Sequence, residues 1–294
     1  MKRTSILLSH IAPLSASALT NGSMEVKLTR DTINSSVAIL ELNRPKSLNN
    51  LTISLADAFE KAVHEISQDR TIRCVVLTGA GKAFSAGGDL DWLKTRTTEK
   101  YPNNNTEVMA KFYNRFLQVR NIPVPVVSYI NGAAIGAGFC LALATDIRVA
   151  EAGAKMGLNF LRLGIHPGMG VTHTLHQIVG TQTAAEMILT ARLISGKEAK
   201  EKGIVAAAVE GDAAAREYTL NLARMIASNA PSAVRSYTRT LRNTVGNGLD
   251  QALLREADAQ ATSYASPELH IGLEAVRAKK DPVFPDTTAP PGDT

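Results

Sequence analysis

Two short stretches crowded with glycine and alanine constrain this chain more than any other feature of its sequence. The first, GAGKAFSAGGDL at 79–90, follows the apolar run 74–78 and ends near an Asp that can begin a helix. The second, GAAIGAG at 132–138, follows the apolar run 124–130 and leads into the apolar helical pattern 139–144. Small residues let another group approach the backbone closely. Two strand–loop–helix units of this kind predict a common role.

Apolar periodicity predicts a mixed α/β chain. Strands are predicted at 26–28, 37–42, 74–78, 124–130, 147–150 and 205–209. Helices are predicted at 53–67, 106–119 and 196–203 and from residue 170, and only helices follow, from 212, 231, 249 and 267. The resulting division is an N-terminal extension (1–23), an α/β core (24–211), a C-terminal helical segment (212–281) and a tail (282–294).

Composition narrows the classes of function. The chain has 294 residues, 45% of them apolar, which suffices for one substantial core. Aromatic residues make up only 5% and the net charge of +5 is spread along the chain, so we expect no nucleic-acid partner. No apolar run approaches the ~20 residues of a membrane-spanning helix. The two cysteines, Cys74 and Cys140, predict neither a disulfide framework nor a metal site.

The first 23 residues differ in composition from the rest. They carry Lys2, Arg3, many Ser and Ala, and no acidic residue, which is typical of a mitochondrial transit peptide and predicts the matrix. Two alternatives stay open. One is a plain N-terminal extension on a cytoplasmic protein, and the other is a secretory signal, because Ala16-Ser17-Ala18 has the form of a cleavage site.

The two stretches rich in glycine and alanine, 79–90 and 132–138, are called the two bare loops below. Their position before predicted helices favours binding of a negatively charged or polarised oxygen. Near a helix N-terminus the peptide N–H groups lack internal partners, and the helix dipole adds partial positive charge. A Walker-type phosphate loop is absent because Gly81-Lys82 is followed by Ala83. This leaves two alternatives from the residues alone. One N–H from each loop meets on a carbonyl oxygen, or the small residues serve only tight packing against a sheet.

An ordered set of motifs resembles the crotonase family, which includes enoyl-CoA hydratases and isomerases. Phe84 to Leu90 (FSAGGDL) is similar to its first signature, and Leu42 to Pro45 (LNRP) to an earlier segment. The stretch 131–138 is similar to its second glycine-rich segment, and 163–170 to a later glycine- and proline-containing turn. The resemblance covers about positions 25–280.

This resemblance implies a spiral of β-β-α repeats with a C-terminal helical segment, assembled as trimers or dimers of trimers. It implies acyl-CoA thioesters as substrates, with coenzyme A as part of the substrate and no other cofactor. The N–H groups of Gly88 and Ala137 would form an oxyanion hole. The implied substrate-binding residues are Lys46, Ala86, Gly88, Asp89, Phe160, Lys279 and Lys280, and Asp89 also suits a helix cap.

The chain departs from the family pattern where hydratases carry two glutamates. The corresponding positions hold Cys140 and Phe160, and Phe160 is expected to be a wall of the acyl pocket. General acid–base groups contribute about 10²–10⁴-fold to rates, so efficient hydration is not expected. Cys140 and His166 are the substitute proton carriers that the sequence offers, against structural roles for both. Two hypotheses follow: an acyl-CoA enzyme of the hydratase/isomerase type, or a hydration-incompetent acyl-CoA-binding or partner subunit of the same fold.

Overall fold

The computed structural model describes residues 25–99 and 101–285, and the N-terminal extension with its targeting prediction lies outside them. The strands in these ranges are β1 (Val26–Arg30), β2 (Val37–Leu42), β3 (Cys74–Gly79), β4 (Ala83–Ser85), β5 (Val126–Ile130), β6 (Ala133–Ile135), β7 (Ile147–Glu151), β8 (Lys155–Gly157), β9 (Ile194–Ser195) and β10 (Ala207–Val209). The helices are α1 (Ile53–Gln68), α2 (Leu90–Arg96), α3 (Pro102–Leu117), α4 (Ala137–Leu143), α5 (Val171–Thr190), α6 (Gly196–Glu201), α7 (Asp212–Ala227), α8 (Pro231–Gly246), α9 (Leu249–Tyr264) and α10 (Glu268–Arg277).

Six strands form the larger sheet, in the order β1-β2-β3-β5-β7-β10. Strand β1 is antiparallel to β2, and the other neighbours are parallel. Both faces are buried, as parallel sheets require. On one face Leu40 and Leu77 pack into the main core with the apolar stripe of α1. On the other, Val76 and Val127 pack against α7, so alternate residues serve the two layers.

A second sheet, in the order β4-β6-β8-β9, was not among the predicted strands. Its strands have two or three residues each, too few to show the alternation that marks a strand. Strands β4, β6 and β8 are parallel, with Ala83 opposite Ala133 and Ile135 opposite Gly157. Because parallel strands end at the same edge, the segments that follow all three lie side by side.

The predicted helical segment exists as α7 to α10, and it folds back over the core. Arg224 of α7 binds both carboxylate oxygens of buried Asp31 at 2.8 Å, and this hydrogen-bonded pairing lowers the pKa of Asp31. Helix α9 packs along α3, and α10 packs against α2 and the short helical turn Leu161–Leu163. Arg277 of α10 pairs with Asp91 of α2. In the described part of the chain, no helix combines the length and apolar character needed to cross a membrane.

Several glycines of the two bare loops have no room for a side chain. A Cβ at Gly87 would lie 2.6 Å from the carbonyl oxygen of Ile135, and one at Gly138 would lie 2.6 Å from the Cβ of Ser85. Gly87 also has φ of 96°, a conformation that favours glycine. A Cβ at Gly88, in contrast, would meet Leu93 at an ordinary 3.6 Å. The loops therefore pack against each other with almost no gap.

This packing predicts unequal effects of two single-methyl substitutions. Gly138→Ala should lower the free energy of unfolding by about 2 kcal/mol, because overpacking a tight contact costs about 1–3 kcal/mol. Gly88→Ala, the matched control, should change it by less than about 0.5 kcal/mol, as most substitutions free of such conflicts do. Urea unfolding followed by circular dichroism measures both, and equal losses would contradict the close contact at Gly138.

Candidate active site

A cavity opens at the edge where β4, β6 and β8 end. Residues of the three following segments line it: Ala86 to Gly88, Gly136 with Ala137, and Asn159 with Phe160. Helix α3 contributes Met109, Phe112 and Tyr113, and α9 contributes Gln260 and Tyr264. The cavity has a volume of about 50 Å³, measured as the space open to the centre of a water molecule. One water needs about 10–15 Å³ on this measure. It has room for a short chain inside the protein.

The N–H of Gly88 points toward this cavity because Gly87 and Asp89, on either side of it, form main-chain hydrogen bonds with Leu51. Leu51 donates its N–H to the carbonyl of Gly87 at 2.7 Å, and Asp89 donates to the carbonyl of Leu51 at 3.3 Å. Gly88 lies between these two bonds and is bridged to Leu51 in parallel register. Its own N–H therefore faces the opposite side, toward the cavity, and it donates to no group in the described residues.

The N–H of Ala137 is exposed to the cavity because Ala137 is the first residue of α4. A helix leaves its first N–H groups without internal acceptors. Gly136 precedes it with φ of 52° and donates its own N–H to Gly157 at 2.8 Å, which joins this turn to β8. A Cβ at Gly87 would lie only 3.6 Å from the Ala137 nitrogen. The two loops therefore pack closely together, and Gly88 and Ala137 both line the cavity.

The remaining residues of the two loops have structural partners. Asp89 caps α2 by accepting the N–H of Trp92 at 2.7 Å, and it also accepts from Asn50 at 2.6 Å. Ala86 donates to the carbonyl of Leu48 at 2.9 Å, which joins the first loop to the segment carrying Lys46. The side chain of Lys46 is exposed and does not line the cavity.

Lys279 and Lys280 are likewise exposed, and they follow α10. Helix α10 packs over α2 of the same chain. Neither lysine lines the cavity. Their predicted contact with coenzyme A stays a prediction.

Phe160 lines the cavity and is almost fully buried, at 6% exposure. Around it lie further apolar side chains: Leu90, Trp92, Leu93, Leu163, Ile165 and Met169. Among the described residues, no Asp, Glu, Lys, Arg or His side chain lines this cavity. The wall that would face an acyl chain is therefore apolar and uncharged.

Cys140 and His166 do not line the cavity. The Cys140 thiol is fully buried in α4, donates to the carbonyl of Gly168 at 3.5 Å, and has its pKa raised well above the usual value by burial. His166 places Nδ1 2.7 Å from the carbonyl of Pro167, and burial lowers its pKa. Both side chains have a main-chain partner inside the protein, and their role as proton carriers stays a prediction.

Glu256 is a buried carboxylate that interacts electrostatically with Tyr113 and Cys140. It accepts hydrogen bonds from the N–H of Gly170 at 2.6 Å and from the N–H and hydroxyl of Thr172. Burial raises its pKa, and it too is absent from the cavity wall. Its role is to hold α9 against the start of α5.

Sequence reasoning missed Tyr113, Asn159, Gln260 and Tyr264 as cavity residues. Tyr113 follows the buried residues Phe112 and Met109 by one and by four positions, so helical periodicity indicates only that it is buried. Gln260 and Tyr264 lie one turn apart on α9, more than 90 residues away from the loops. Only the tertiary fold brings these elements together. No group of three or more metal-binding side chains occurs among residues 25–99 and 101–285.

Comparison with known proteins agrees with this architecture. The family model for enoyl-CoA hydratase/isomerase matches residues 32–287. The 1,2-epoxyphenylacetyl-CoA isomerase of Escherichia coli K12 is 32% identical over 249 residues, which cover 84% of this chain and 94% of that protein. The human mitochondrial methylglutaconyl-CoA hydratase is 33% identical over 259 residues, covering 85% and 74%.

Solved structures give the same result. An enoyl-CoA hydratase from Mycobacterium avium subsp. paratuberculosis K-10 superimposes with a TM-score of 0.76 at 27% identity, covering 89% of this chain and 99% of that one. An enoyl-CoA hydratase from Bacillus anthracis does so with a TM-score of 0.69 at 32% identity, covering 88% and 98%. The chain belongs to the enoyl-CoA hydratase/isomerase family, and the predicted crotonase-like fold is confirmed.

Burial predicts that neither cysteine reacts in the native protein. The pKa of Cys74 is raised to about 12, mainly by burial, and that of Cys140 is raised as well, while alkylation requires the thiolate. Iodoacetamide at pH 8 should label neither residue in the folded protein and both in urea, as read by mass spectrometry. Rapid native labelling of Cys140 would contradict its burial and restore it as a proton carrier.

Proposed function

We propose that this protein is an acyl-CoA enzyme in which the N–H groups of Gly88 and Ala137 bind the thioester oxygen. The observation that carries the proposal is a pair of main-chain amides without hydrogen-bond partners, at Gly88 and Ala137, which line one cavity whose wall is otherwise mostly apolar and carries no charged side chain among the described residues. The family of the chain and the acyl-CoA names of its relatives support the substrate class.

Two amides of this kind favour a reaction that passes through an enolate. As a proton leaves the α carbon, negative charge develops on the thioester oxygen. Fixed N–H donors in a water-poor site stabilise such charge more than water does, and one donor contributes about 3–4 kcal/mol in well-studied oxyanion holes. The helix dipole of α4 adds to this at Ala137, although α4 is short.

Of the reactions that the family catalyses, hydration is the one that this cavity supports least. Adding water across an enoyl double bond needs a base for the water and an acid for the carbon, and carboxylates normally supply both. Cys140 and Phe160 stand at the two expected positions, and no carboxylate lines the cavity among the described residues. Isomerisation also needs a base for the α proton, and the described cavity wall offers no ionisable Asp, Glu, Lys, Arg or His side chain for it. We therefore propose a reaction through an enolate-like thioester oxygen in which a water molecule in the cavity accepts the α proton, rather than efficient hydration.

The same observation favours a second candidate function. Without a carboxylate on its wall, the cavity could hold an acyl-CoA and perform no chemistry, as a binding or partner subunit. Assembly as a trimer or a dimer of trimers, and a mitochondrial location, stay predictions. The composition of residues 1–23 and the mitochondrial relatives support the location.

An assay with crotonyl-CoA separates these possibilities. The purified chain should hydrate crotonyl-CoA at least about 10²-fold more slowly than a glutamate-containing family member measured in parallel, because general acid–base groups contribute about 10²–10⁴-fold. Loss of the enoyl absorbance measures the rate. Exchange of the α protons of butyryl-CoA with deuterated water, followed by mass spectrometry, should proceed in the enzyme and not in a binding-only subunit. Hydration as fast as in the reference enzyme would refute our interpretation of Cys140 and Phe160.

Removing one amide tests the proposed oxyanion hole. Ala137→Pro deletes the N–H at the first position of α4, where proline is well tolerated. The affinity for butyryl-CoA should fall about fivefold to tenfold, as expected for a lost hydrogen bond. S-butyl-CoA is a thioether without the carbonyl oxygen, so the wild-type protein should bind it more weakly than butyryl-CoA. The affinity of Ala137→Pro for S-butyl-CoA should lie within about twofold of the wild-type affinity for the same ligand.

A second proline variant provides the control for that experiment. Asp212 also begins a helix after a glycine of positive φ, Gly211, and does not line the cavity. Asp212→Pro should leave both affinities unchanged in isothermal titration calorimetry. Equal losses of the two ligands in Ala137→Pro would point to a blocked or damaged cavity and would contradict a specific role for the amide.

A further inference from the structure

A second cavity lies at the other end of the larger sheet from the active site. Arg70 precedes β3 and residues 121–123 precede β5, whereas the two bare loops follow these strands. Because β3 and β5 are parallel, their beginnings lie at one edge of the sheet and their ends at the opposite edge. This cavity has a volume of about 300 Å³, measured as the space open to the centre of a water molecule, and it shares no lining residue with the active site.

Five arginines line this second cavity, which we call the basic cavity, and no Asp or Glu of the described residues lines it. Arg235, Arg239 and Arg242 belong to α8 at the spacing i, i+4, i+7, which places them on one face of the helix. Arg70 comes from the turn after α1 and Arg120 from the segment after α3. The fold therefore gathers here positive charge that is spread along the sequence.

Two of these guanidinium groups are fixed by hydrogen bonds inside the protein. Arg242 binds both carboxylate oxygens of Asp146, at 2.8 and 2.5 Å, and donates to the carbonyl of Arg120 at 2.7 Å. Arg235 donates to the carbonyl of Ile72 at 3.0 Å. Side chains that are already ordered lose little conformational entropy when they bind an anion, which favours affinity.

The charge of the cluster is not balanced within the part of the chain that the structure describes. Arg70 and Arg239 are exposed, and their side chains form no hydrogen bond or ion pair with the described residues. Asp146 and Asp250 are the described carboxylates that interact with the cluster, Asp250 through Arg120. Five guanidinium groups and two carboxylates leave three positive charges uncompensated.

Repulsion within the cluster favours binding of an anion. Burial lowers the pKa of Arg120, and the positive charge of Arg242 lowers it further. Both side chains line the basic cavity, so an anion bound there would offset the repulsion between them.

The arrangement of the arginines favours a group with several phosphates. A guanidinium group binds carboxylates and phosphates through paired N–H donors. A carboxylate presents two oxygens in one plane, whereas a phosphate presents oxygens in several directions and therefore suits donors from three separate segments. No Phe, Tyr, Trp or His of the described residues lines the cavity, so it lacks the stacking surface that single-stranded nucleic acid requires.

We propose that the basic cavity binds a small anion with two or more linked phosphate groups, either free or as the phosphate end of a nucleotide. Arg235 and Arg242 supply fixed donors, and Arg70 and Arg239 supply donors that have no other partner among the described residues. The inference does not depend on the proposed acyl-CoA function, because the two cavities share no lining residue.

Calorimetric titration in HEPES buffer tests the proposal. The probes are orthophosphate, pyrophosphate, tripolyphosphate and ADP, with citrate as a multiply charged carboxylate. Tripolyphosphate should show saturable binding, at least about tenfold tighter than that of orthophosphate or citrate, because paired hydrogen bonds between charged groups are strong. An affinity for ADP above that for pyrophosphate would identify a nucleotide, and one no higher would identify the free anion. Both results support the site.

Arg239→Gln and Arg70→Gln each remove one of the uncompensated charges. Each should lower the affinity for tripolyphosphate about threefold to tenfold, as expected for one charged contact near the surface. Neither should change the melting temperature of the free protein, because neither side chain has a partner in the described fold. Tripolyphosphate should raise the melting temperature of the wild-type protein and raise it less in both variants.

The matched control is Arg216→Gln. Arg216 is exposed on α7, its substitution removes the same charge, and it lines neither cavity. This variant should keep the wild-type affinity for tripolyphosphate. The inference fails if the wild-type protein shows no saturable binding of tripolyphosphate or binds citrate equally well. It also fails if Arg216→Gln loses as much affinity as Arg239→Gln, because net charge alone would then explain the effect.

Two further titrations exclude other occupants of the basic cavity. Arg239→Gln should keep the wild-type affinity for butyryl-CoA, and a loss would assign the cavity to the phosphates of coenzyme A and overturn a separate site. A single-stranded oligoribonucleotide should bind more weakly than tripolyphosphate, and tighter binding would overturn the choice of a small anion. If the wild-type protein binds tripolyphosphate but no butyryl-CoA, the proposed acyl-CoA function fails while this inference stands.

Discussion

The parallel pairing of three very short strands, β4, β6 and β8, is the constraint on which the site depends. Each strand has three residues, so the sheet contributes few hydrogen bonds of its own. Its effect is geometric. It ends three separate segments at one edge, and it brings Gly88 and Ala137 to one cavity although 48 residues and a long helix separate them in the chain. Gly87, Gly136 and Gly138 make this possible because larger residues would not fit.

Strands and helices could be predicted from the sequence only where they were long enough to show a periodic pattern of apolar residues. The strands at 37–42 and 74–78 and the helix at 53–67 were predicted from alternation and helical spacing, and the structure has them as β2, β3 and α1. The second sheet was missed because three-residue strands such as Ala133–Ile135 show no periodicity. The glycine clusters marked both loops correctly, yet only the pairing of β4 with β6 explains why they meet.

Cavity residues could be predicted where a local sequence motif marks them, and not where only the tertiary fold brings them together. Gly88, Ala137 and Phe160 were found from the motifs around them, and all three line the cavity. Tyr113 and Gln260 were not found, because their contacts join α3 and α9, which are distant in sequence. Cys140 and His166 were named for their chemistry. The fold buries Cys140 and partly buries His166, gives each a main-chain hydrogen-bond partner, and places neither in the cavity wall. Chemistry of residue type alone does not locate a site.

The central claim is that two main-chain amides hold the thioester oxygen. A crystal structure of the protein with butyryl-CoA tests it most directly, because hydrogen bonds of this type have nitrogen–oxygen distances of about 2.7–3.2 Å. We expect the carbonyl oxygen to lie within that range of the nitrogens of both Gly88 and Ala137, with the acyl chain against Phe160. A thioester oxygen bound elsewhere, or facing solvent while both amides stay unpaired, would contradict the account.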